Sequence, residues 1–198
     1  MEKMNLFDQP KGSTPLDPDE INGLKIIFIN TRAELDRWEL ENIQEGLIWA
    51  ERQKPLKLIT EDFVQTLHKK MFSKVWKWAG TYRKTNKNIG VSWPYVQTEI
   101  RKLTGDLDYW IKNNSFSPLE IGARFHHRLV WIHPFPNGNG RHARMMTDLI
   151  ITRYFMVKPF TWGSNLTLET AELRKTYIDA LKKADNSDYT ALEKFVYM

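Results

Sequence analysis

The sequence predicts a mostly α-helical protein that forms one globular unit with one small β element, and three observations support this prediction. Apolar residues recur at helical spacing in several segments, for example at four-residue steps from Phe63 to Met71. Capping boxes, in which Ser or Thr is followed three residues later by Glu, mark helix starts at Thr31–Glu34 and Ser117–Glu120. The stretch from Trp76 to Val96 instead contains glycines, a proline and many β-forming residues, which favours a hairpin flap.

These signals divide the chain into an arm, a first helix and a main body. Residues 1–24 are rich in Pro, Asp and Gly and are typical of an irregular arm. The following KIIFIN (25–30) is compatible with a short strand or an extended apolar plug. The expected helices run from Thr31 to about Arg52, from Thr60 through Met71, over 100–110, from Ser117 to Ile132, from about Asn139 to Val157, near 168–184 and near 188–197.

The composition limits the class of protein. A chain of 198 residues can bury a sizeable core, and 41% of its residues are hydrophobic. It has no cysteine, which excludes disulfides and thiolate metal sites and fits a reducing compartment. The 29 basic and 24 acidic residues leave a net charge of +5, which suits a phosphate-bearing partner but not a dedicated DNA binder. We find no signal peptide and no membrane span, so we expect a cytoplasmic protein.

The segment HPFPNGNGRHAR, from His133 to Arg144, carries the strongest functional signal. Arg141 and Arg144 follow a Gly-Asn-Gly turn and would lie in the first turn of the next helix. That end of a helix already carries partial positive charge, so the cations indicate an anionic ligand. Gly138 and Gly140 allow the backbone to approach such a ligand closely. An imidazole just before this turn titrates near neutral pH and suits a general base, so His133 is a catalytic candidate.

The whole motif closely resembles the Fic family signature H-x-F-x-(D/E)-G-N-G-R-x-x-R. WKWAGTYR (76–83) is similar to the entry into the Fic flap, and FHHRLVWIHPF (125–135) is similar to the helix that leads into the motif. The layout, with TPLDPDE near the start and FTWG after the motif helix, resembles the bacterial subfamily called mobile mystery protein B. The resemblance implies a Fic-type helical bundle with a small β-hairpin flap, and a bacterial protein.

The resemblance also implies an activity, because Fic proteins typically transfer AMP from ATP to a hydroxyl of a target protein. His133 would deprotonate the incoming Ser, Thr or Tyr hydroxyl, and Phe135 would anchor the loop in the core. The phosphates would be bound by the turn and by both arginines, and Arg141 and Asn139 would also act in catalysis. The nucleotide-binding set implied in this way is Gly138, Asn139, Gly140, Arg141 and Arg144.

Asn137 departs from the family pattern, which has Asp or Glu at this position as a ligand of Mg²⁺. A neutral amide oxygen is a weaker ligand for a hard cation. The resemblance implies Mg²⁺ as the cofactor. Asn137 is a doubtful ligand for it, because its side-chain oxygen carries no charge. The alternative is a nucleotide-binding regulatory module with weak or altered transferase activity. A third interpretation is a DNA-associated, toxin–antitoxin-like module with an antitoxin-like partner, although the sequence does not favour nucleic acid binding.

Two regions outside the motif complete the implied machinery. The flap residues Asn88, Ile89, Gly90 and Val91 would present a strand edge to an extended target segment, or to this protein itself in self-modification. Many Fic proteins also carry an inhibitory helix that ends in Glu-Gly or Glu-Asn. Glu45 fits that position here, and it would pair with Arg141 when no phosphate is bound. The expected division is thus an arm (1–30), an inhibitory helix (31–55) and a Fic domain (56–198).

The remaining histidines are assigned no catalytic role. His126 and His127 are adjacent and would point about 100° apart on a helix, so packing is the simpler interpretation. His68 is expected at the surface, and no role is given to His142.

Overall fold

The structure is a computed structural model that describes residues 16–166 and 168–197, and the regular secondary structure in these ranges is helical apart from an isolated β-bridge. The predicted mostly α-helical class is therefore confirmed. The predictions for residues 1–15 of the arm lie outside the described residues. The α-helices are α1 (Pro18–Ile21), α2 (Arg32–Glu51), α3 (Glu61–Phe72), α4 (Val96–Lys112), α5 (Pro118–Ile132), α6 (Asn139–Leu149), α7 (Thr170–Ala184) and α8 (Thr190–Tyr197).

Side-chain caps fix the starts of the three helices that surround the motif. Thr31 accepts a hydrogen bond from the amide of Glu34 at the start of α2, and both halves of this capping box are present. Thr60 caps α3 in the same way through the amide of Phe63. Ser117 and Glu120 form the capping box of α5, with proline at the first helical position. The helix starts that the sequence indicated are confirmed.

Two apolar clusters hold these helices together. The larger one lies between α2, α3, α4, α5 and α6, and its fully buried side chains include Leu67, Phe72, Trp76, Phe125 and Phe135. The smaller one packs α7 and α8 against α5 and the segment after α6, around buried Ile151, Phe160 and Leu192, among others. Helix α6 runs between the two clusters, and a π-helical turn over Ile150–Tyr154 continues it. No helix in the described ranges has the length and apolarity needed to cross a bilayer.

The predicted β-hairpin flap is wrong, because residues 16–166 and 168–197 contain no strand and only an isolated bridge between Leu24 and Trp76. Residues 84–92 form an irregular loop that leads into a 3-10 helix at Trp93–Tyr95. The physical reason is that side chains satisfy the flap backbone. Arg83 donates to the carbonyls of Thr85 and Val91, and the side chain of Asn86 accepts from the amide of Trp93 at 3.0 Å.

The described part of the arm, from residue 16 onward, makes polar contacts with that flap. The short helix α1 begins at Asp17, and Lys87 of the flap reaches Asp17 at 2.8 Å and Glu20 at 2.5 Å. The KIIFIN segment does not form the strand that was one of its two interpretations. Ile29 is buried, but Ile27 and Phe28 are 94% and 64% exposed.

Candidate active site

The motif loop runs from His133 to Gly138 and joins α5 to α6. His133 ends α5 in a left-handed conformation, with φ at 54°, so the chain turns sharply there. Gly138 begins α6 with φ at 77°, a conformation that favours glycine. A Cβ on Gly138 would lie 2.7 Å from the Phe72 ring, so a larger residue would also collide with the core. The two turns place the imidazole and the start of α6 at the two ends of one short loop.

Asn139 clamps this loop from inside. Its side-chain oxygen accepts from the amide of Phe135 at 2.9 Å, and its side-chain nitrogen donates to the carbonyl of Phe135 at 2.8 Å. Both residues are buried, and the Phe135 ring stacks on the His68 ring with centroids 3.7 Å apart. Phe135 thus has the predicted anchoring position. The Asn139 side chain is engaged within the loop, so only its backbone amide remains in a position to bind a phosphate.

His68 supports the other side of the loop, and the prediction that it lies at the surface is wrong. Its Nδ1 accepts from the amide of Gly80 at 3.0 Å, which leaves the proton on Nε2. Nε2 donates to the carbonyl of Asn137 at 3.0 Å. Burial holds the pKa of His68 well below its ordinary value of 6.5, so the ring is neutral and keeps this arrangement at physiological pH.

Arg83 is a structural residue that sequence reasoning did not assign, although it ends the WKWAGTYR string. Its Nε donates to the carbonyl of His133 at 2.7 Å, and its amide donates to the carbonyl of Pro134 at 2.9 Å. The same guanidinium holds the carbonyl of Val91 in the flap. Arg83 therefore joins the motif loop to the flap.

His133 is buried beneath the flap. Burial and the positive charges of Arg83 and Lys87 lower its pKa to about 4, although a hydrogen bond to the backbone of Val130 opposes the shift. The imidazole is neutral near pH 7, which is the state that can accept a proton. Gly90 lies directly against it, because a Cβ on Gly90 would come 2.7 Å from the Cβ of His133.

The flap residues predicted to dock a target surround this contact. Asn88, Ile89 and Gly90 are exposed, and Val91 is half-buried. They form an irregular segment over the His133 side of the loop instead of a strand edge.

The start of α6 is open to a ligand. No side chain caps it, and no acidic residue lies in its first turn. The first intrahelical bond runs from the amide of His142 to the carbonyl of Gly138, so the amides of residues 139–141 lie at the free end of the helix. A Cβ on Gly140 would meet nothing within 4 Å. This combination of amides, helix dipole and free space suits an anion.

Arg141 lies beside this opening and is paired with a carboxylate that the sequence analysis did not select. Its Nη1 donates to Oε2 of Glu39 in α2 at 2.5 Å, and its guanidinium lies over the Phe72 ring. Glu39 is buried and also accepts from the indole of Trp76 at 2.6 Å. A buried carboxylate therefore neutralises the guanidinium of Arg141 in this structure.

The predicted pairing of Glu45 with Arg141 is wrong. Glu45 is exposed and pairs with Lys74 at 2.5 Å. It lies six residues after Glu39, which corresponds to about 240° around the helix and about 9 Å along it, so the two side chains point to different neighbours. The carboxylate that pairs with Arg141 therefore comes from the same helix as Glu45, but from a different position.

Arg144 points away from Arg141, toward α7. It lies near the side chain of Tyr177, and its charge acts on Tyr177, Asp148 and His126. Burial raises the pKa of Asp148 to about 6, while the indole of Trp162 donates to it at 2.8 Å. The structure brings Arg141 to the open end of α6 but places Arg144 in a half-buried polar cluster one turn later.

Asn137 makes a poor metal ligand in this arrangement. Its neutral side-chain oxygen accepts from the amide of Gly138 at 2.7 Å, so a metal ion would have to compete with this hydrogen bond. No group of three or more His, Cys, Asp or Glu side chains with metal-binding geometry occurs in the part of the chain that the structure describes. The loop does not fit a protein-built Mg²⁺ site.

The other histidines are buried and structural. The Nε2 of His142 donates to the carbonyl of Val64, and that of His126 contacts the hydroxyl of Tyr177. His127 pairs with Asp185, which confirms that the adjacent histidines pack separately.

The profile of the Fic/DOC family matches residues 58–151. The protein adenylyltransferase Fic of Nematostella vectensis is 28% identical over 121 residues, which cover 60% of this chain and 26% of that protein. The chain thus spans about a quarter of the length of the curated relatives it matches.

Solved structures agree on the fold. The N-terminal Fic domain of a Bartonella quintana effector with bound ADP has a TM-score of 0.67 at 18% identity, covering 90% of this chain and 94% of that chain. BepC from Bartonella tribocorum with bound AMPPNP also reaches 0.67, at 17% identity, covering 98% and 96%. These findings name the family and not a subfamily, so the resemblance to mobile mystery protein B stays a prediction. The profile match, the relatives and the shared fold agree with the motif at 133–144, and residues 58–151 of this chain are similar to the Fic/DOC family.

Proposed function

We propose that this chain is a protein adenylyltransferase, which transfers AMP from ATP–Mg²⁺ to a hydroxyl side chain of a protein. The observation that carries the proposal is the open, uncapped start of α6 at the end of a loop that begins with a neutral, buried imidazole. Curated relatives are named protein adenylyltransferases, and two structural neighbours hold adenine nucleotides. Cytoplasmic action and a bacterial source remain part of the proposal.

The chemistry follows from the ends of the motif loop. The target hydroxyl oxygen attacks the α-phosphorus of ATP, the bond to the β-phosphate oxygen breaks, and pyrophosphate leaves. His133 accepts the hydroxyl proton, because its lowered pKa keeps it unprotonated. The amides of residues 139–141 and the guanidinium of Arg141 stabilise the charge on the phosphates. Arg83 and the side chain of Asn139 position the loop without touching the substrates.

Mg²⁺ enters this proposal with the substrate, as the ATP–Mg²⁺ complex. The Asn137 side chain is turned to the amide of Gly138, and we derive no step through a metal held by this loop. The proposed nucleotide contacts are the backbone of Gly138 to Arg141 and the side chain of Arg141, while Arg144 supports α6 through Tyr177.

Autoinhibition is assigned to Glu39 in place of Glu45. The Glu39 carboxylate neutralises Arg141 and is held in place by the Trp76 indole. A triphosphate that binds Arg141 must displace this carboxylate or share the guanidinium with it. The proposed brake is therefore a competition between one carboxylate and one phosphate group for the same donor.

The target is proposed to dock along residues 88–90 of the flap. These residues are exposed, and Gly90 touches His133, so a peptide lying on them has its side chains near the imidazole. An extended Ser-, Thr- or Tyr-bearing segment of another protein fits this description, and a segment of the same protein fits it equally.

The test is the intact mass of the protein after incubation with Mg²⁺ and ATP, CTP, GTP or UTP, with Glu39→Gln included to weaken the brake. We expect a gain of one nucleoside monophosphate with ATP, which His133→Ala abolishes. The matched control is His127→Ala, a buried histidine remote from the loop that leaves the gain in place. Nucleotide binding by calorimetry without any mass gain, in the presence of candidate targets, would contradict the transferase and support a regulatory nucleotide-binding module.

A further inference from the structure

Helix α2 has two faces of different character. Its inner face carries buried Leu35, Asn42 and Gly46 and packs against α3. Its outer face is also apolar in part, although it faces solvent: Leu40 is 56% exposed and Ile48 is 52% exposed. Residues three, four and seven apart share a helix face, so these side chains form one stripe together with Leu47.

A second exposed apolar group lies at the start of α2, on a different side of the helix from this stripe. Ile27 and Phe28 precede α2 and are largely exposed, and the Phe28 ring makes an edge contact with the Trp38 ring at 6.1 Å. Single exposed apolar residues are normal in soluble proteins, but a contiguous apolar patch with a polar rim marks an interaction site. On the outer face of α2 only Leu40, Leu47 and Ile48 lie close enough around the helix to act as such a surface.

The charges on this face identify what covers it. Arg37 lies seven residues before Gln44 and Glu51 lies seven residues after it, while Leu40 and Ile48 each lie four residues away. A second α2 that runs antiparallel and is centred on Gln44 places Arg37 opposite Glu51 at both ends. It places Leu40 next to the apolar pair Leu47 and Ile48 of the other copy. A parallel arrangement would bring Arg37 against Arg37 instead.

We propose that the outer face of α2 is the interface of a homodimer in which two copies of this chain pack α2 antiparallel about Gln44. Such an interface is two-fold symmetric and self-complementary, as a closed dimer requires. Within one copy Arg37 contacts Glu41 at 3.4 Å, and both side chains are mostly exposed, so this weak pair can be exchanged for a partner contact. The proposal is independent of the proposed enzymatic function, because Glu39 and Arg141 lie on the inner side.

The experiment is sedimentation equilibrium of the 198-residue chain over a range of concentrations. We expect the wild type to move from 23.5 kDa toward twice that mass as concentration rises. Arg37→Glu and Glu51→Arg should each raise the dimer dissociation constant about tenfold or more, because both ends of the interface then carry like charges. An equimolar mixture of the two variants should regain dimers, since the glutamates of one variant then face the arginines of the other at both ends.

The mixture separates this geometry from general destabilisation. Circular dichroism shows whether each variant is folded, and Lys175→Glu on the exposed surface of α7 is the matched charge-reversal control, with wild-type behaviour expected. A monomer at every concentration would overturn the proposal. A dimer that the charge variants leave intact would do the same, as would variants that weaken it without mutual rescue.

Discussion

Helices α5 and α6 follow each other along the chain, but they begin in opposite ways. Helix α5 begins at Ser117, where the side chains of Ser117 and Glu120 satisfy the first backbone amides. Helix α6 begins at Gly138 with no side-chain cap and no acid in its first turn, and Arg141 adds a cation there. One start is completed by the protein itself, whereas the other leaves its amides for an anion from outside.

The comparison shows how the molecule stabilises a helix start that has no side-chain cap. At α5 a local carboxylate supplies the stabilisation. At α6 it comes from contacts with the preceding loop, made by the Asn139 side chain, His68 and Arg83. These contacts act on the loop before the helix, so they stabilise the start without occupying its amides.

The largest expected difference between the two helix starts is their loss of stability at low pH. His68 and His133 are neutral in the fold with lowered pKa values, so the unfolded state binds more protons below its ordinary pKa of 6.5. Neither histidine lowers the free energy of unfolding above pH 6.5. Below that pH each one lowers it by about 1.4 kcal/mol per pH unit, until the pH reaches its folded pKa. The pKa of Glu120 is lowered from 4.5, so the α5 cap loses stability only below about that pH.

Hydrogen exchange followed by mass spectrometry between pH 7 and pH 4.5 checks this, after correction for the intrinsic pH dependence of exchange. Peptides covering 133–141 should lose protection first, while those at the start of α5 keep it. Buried Asp148, with a pKa raised to about 6, opposes the trend by one proton. Equal loss of protection at both helix starts would break the comparison.

Removal of the cation at the open start should have the next largest effect. Arg141→Ala is expected to weaken ATP–Mg²⁺ binding about a hundredfold, because a charged hydrogen bond to phosphate contributes up to about 3 kcal/mol. Isothermal titration calorimetry measures the change. Arg101→Ala, on the exposed face of α4, is the control and should bind as the wild type does. Unchanged binding by Arg141→Ala would place the nucleotide elsewhere.

Neutralising the competing carboxylate should act in the opposite direction. Glu39→Gln keeps the shape of the side chain and its bond from Trp76 but removes the charge beside Arg141. We expect ATP affinity to rise about tenfold, which corresponds to about 1.4 kcal/mol. Glu45→Gln loses only an exposed pair with Lys74 and should leave affinity unchanged. A gain for Glu45→Gln and none for Glu39→Gln would return the brake to Glu45.

Alanine substitutions at two helical glycines distinguish an effect on helix stability from an effect on ligand binding. Gly140 and Gly105 both lie in helices and both have open space where a Cβ would be added. Alanine at either position should stabilise the fold by up to about 1 kcal/mol in urea unfolding. Only Gly140→Ala should also weaken ATP–Mg²⁺ binding, because its methyl group projects into the space proposed for the phosphates. Equal binding by the two variants would argue against ligand at Gly140.

The smallest effect is expected at the completed start. Ser117→Ala removes the cap of α5 and should lower the free energy of unfolding by about 1 kcal/mol. ATP affinity should not change, since this start binds no ligand. Differential scanning calorimetry measures the loss of stability, and isothermal titration calorimetry measures the ATP affinity of the same variant. A change in affinity would show that the two helix starts are coupled.

The sequence predicted the elements whose signals are local. Capping boxes and four-residue apolar steps define helices without reference to distant residues. The candidate site residues also follow one another along the chain, within the motif at 133–144. Its position at the start of α6 was correct for the same reason.

The errors concern long-range contacts. The flap composition favours strands, but Arg83 binds two of its carbonyls and the arm binds Lys87, so no hairpin forms. The choice between Glu39 and Glu45 depends on how α2 is rotated against α6, which no local pattern encodes. His68 looked like a surface residue because its partners, at Gly80 and Asn137, lie far away in sequence.

Arg83 has a consequence for how new targets could be recognised. One guanidinium spans the backbone of the base and the backbone of the flap, so the separation between docking site and imidazole is set by a single rigid fork. If targets dock on the exposed flap residues 88–90, substitutions there would change the preferred target. The distance from the flap to the His133 imidazole would stay the same, because Arg83 sets it.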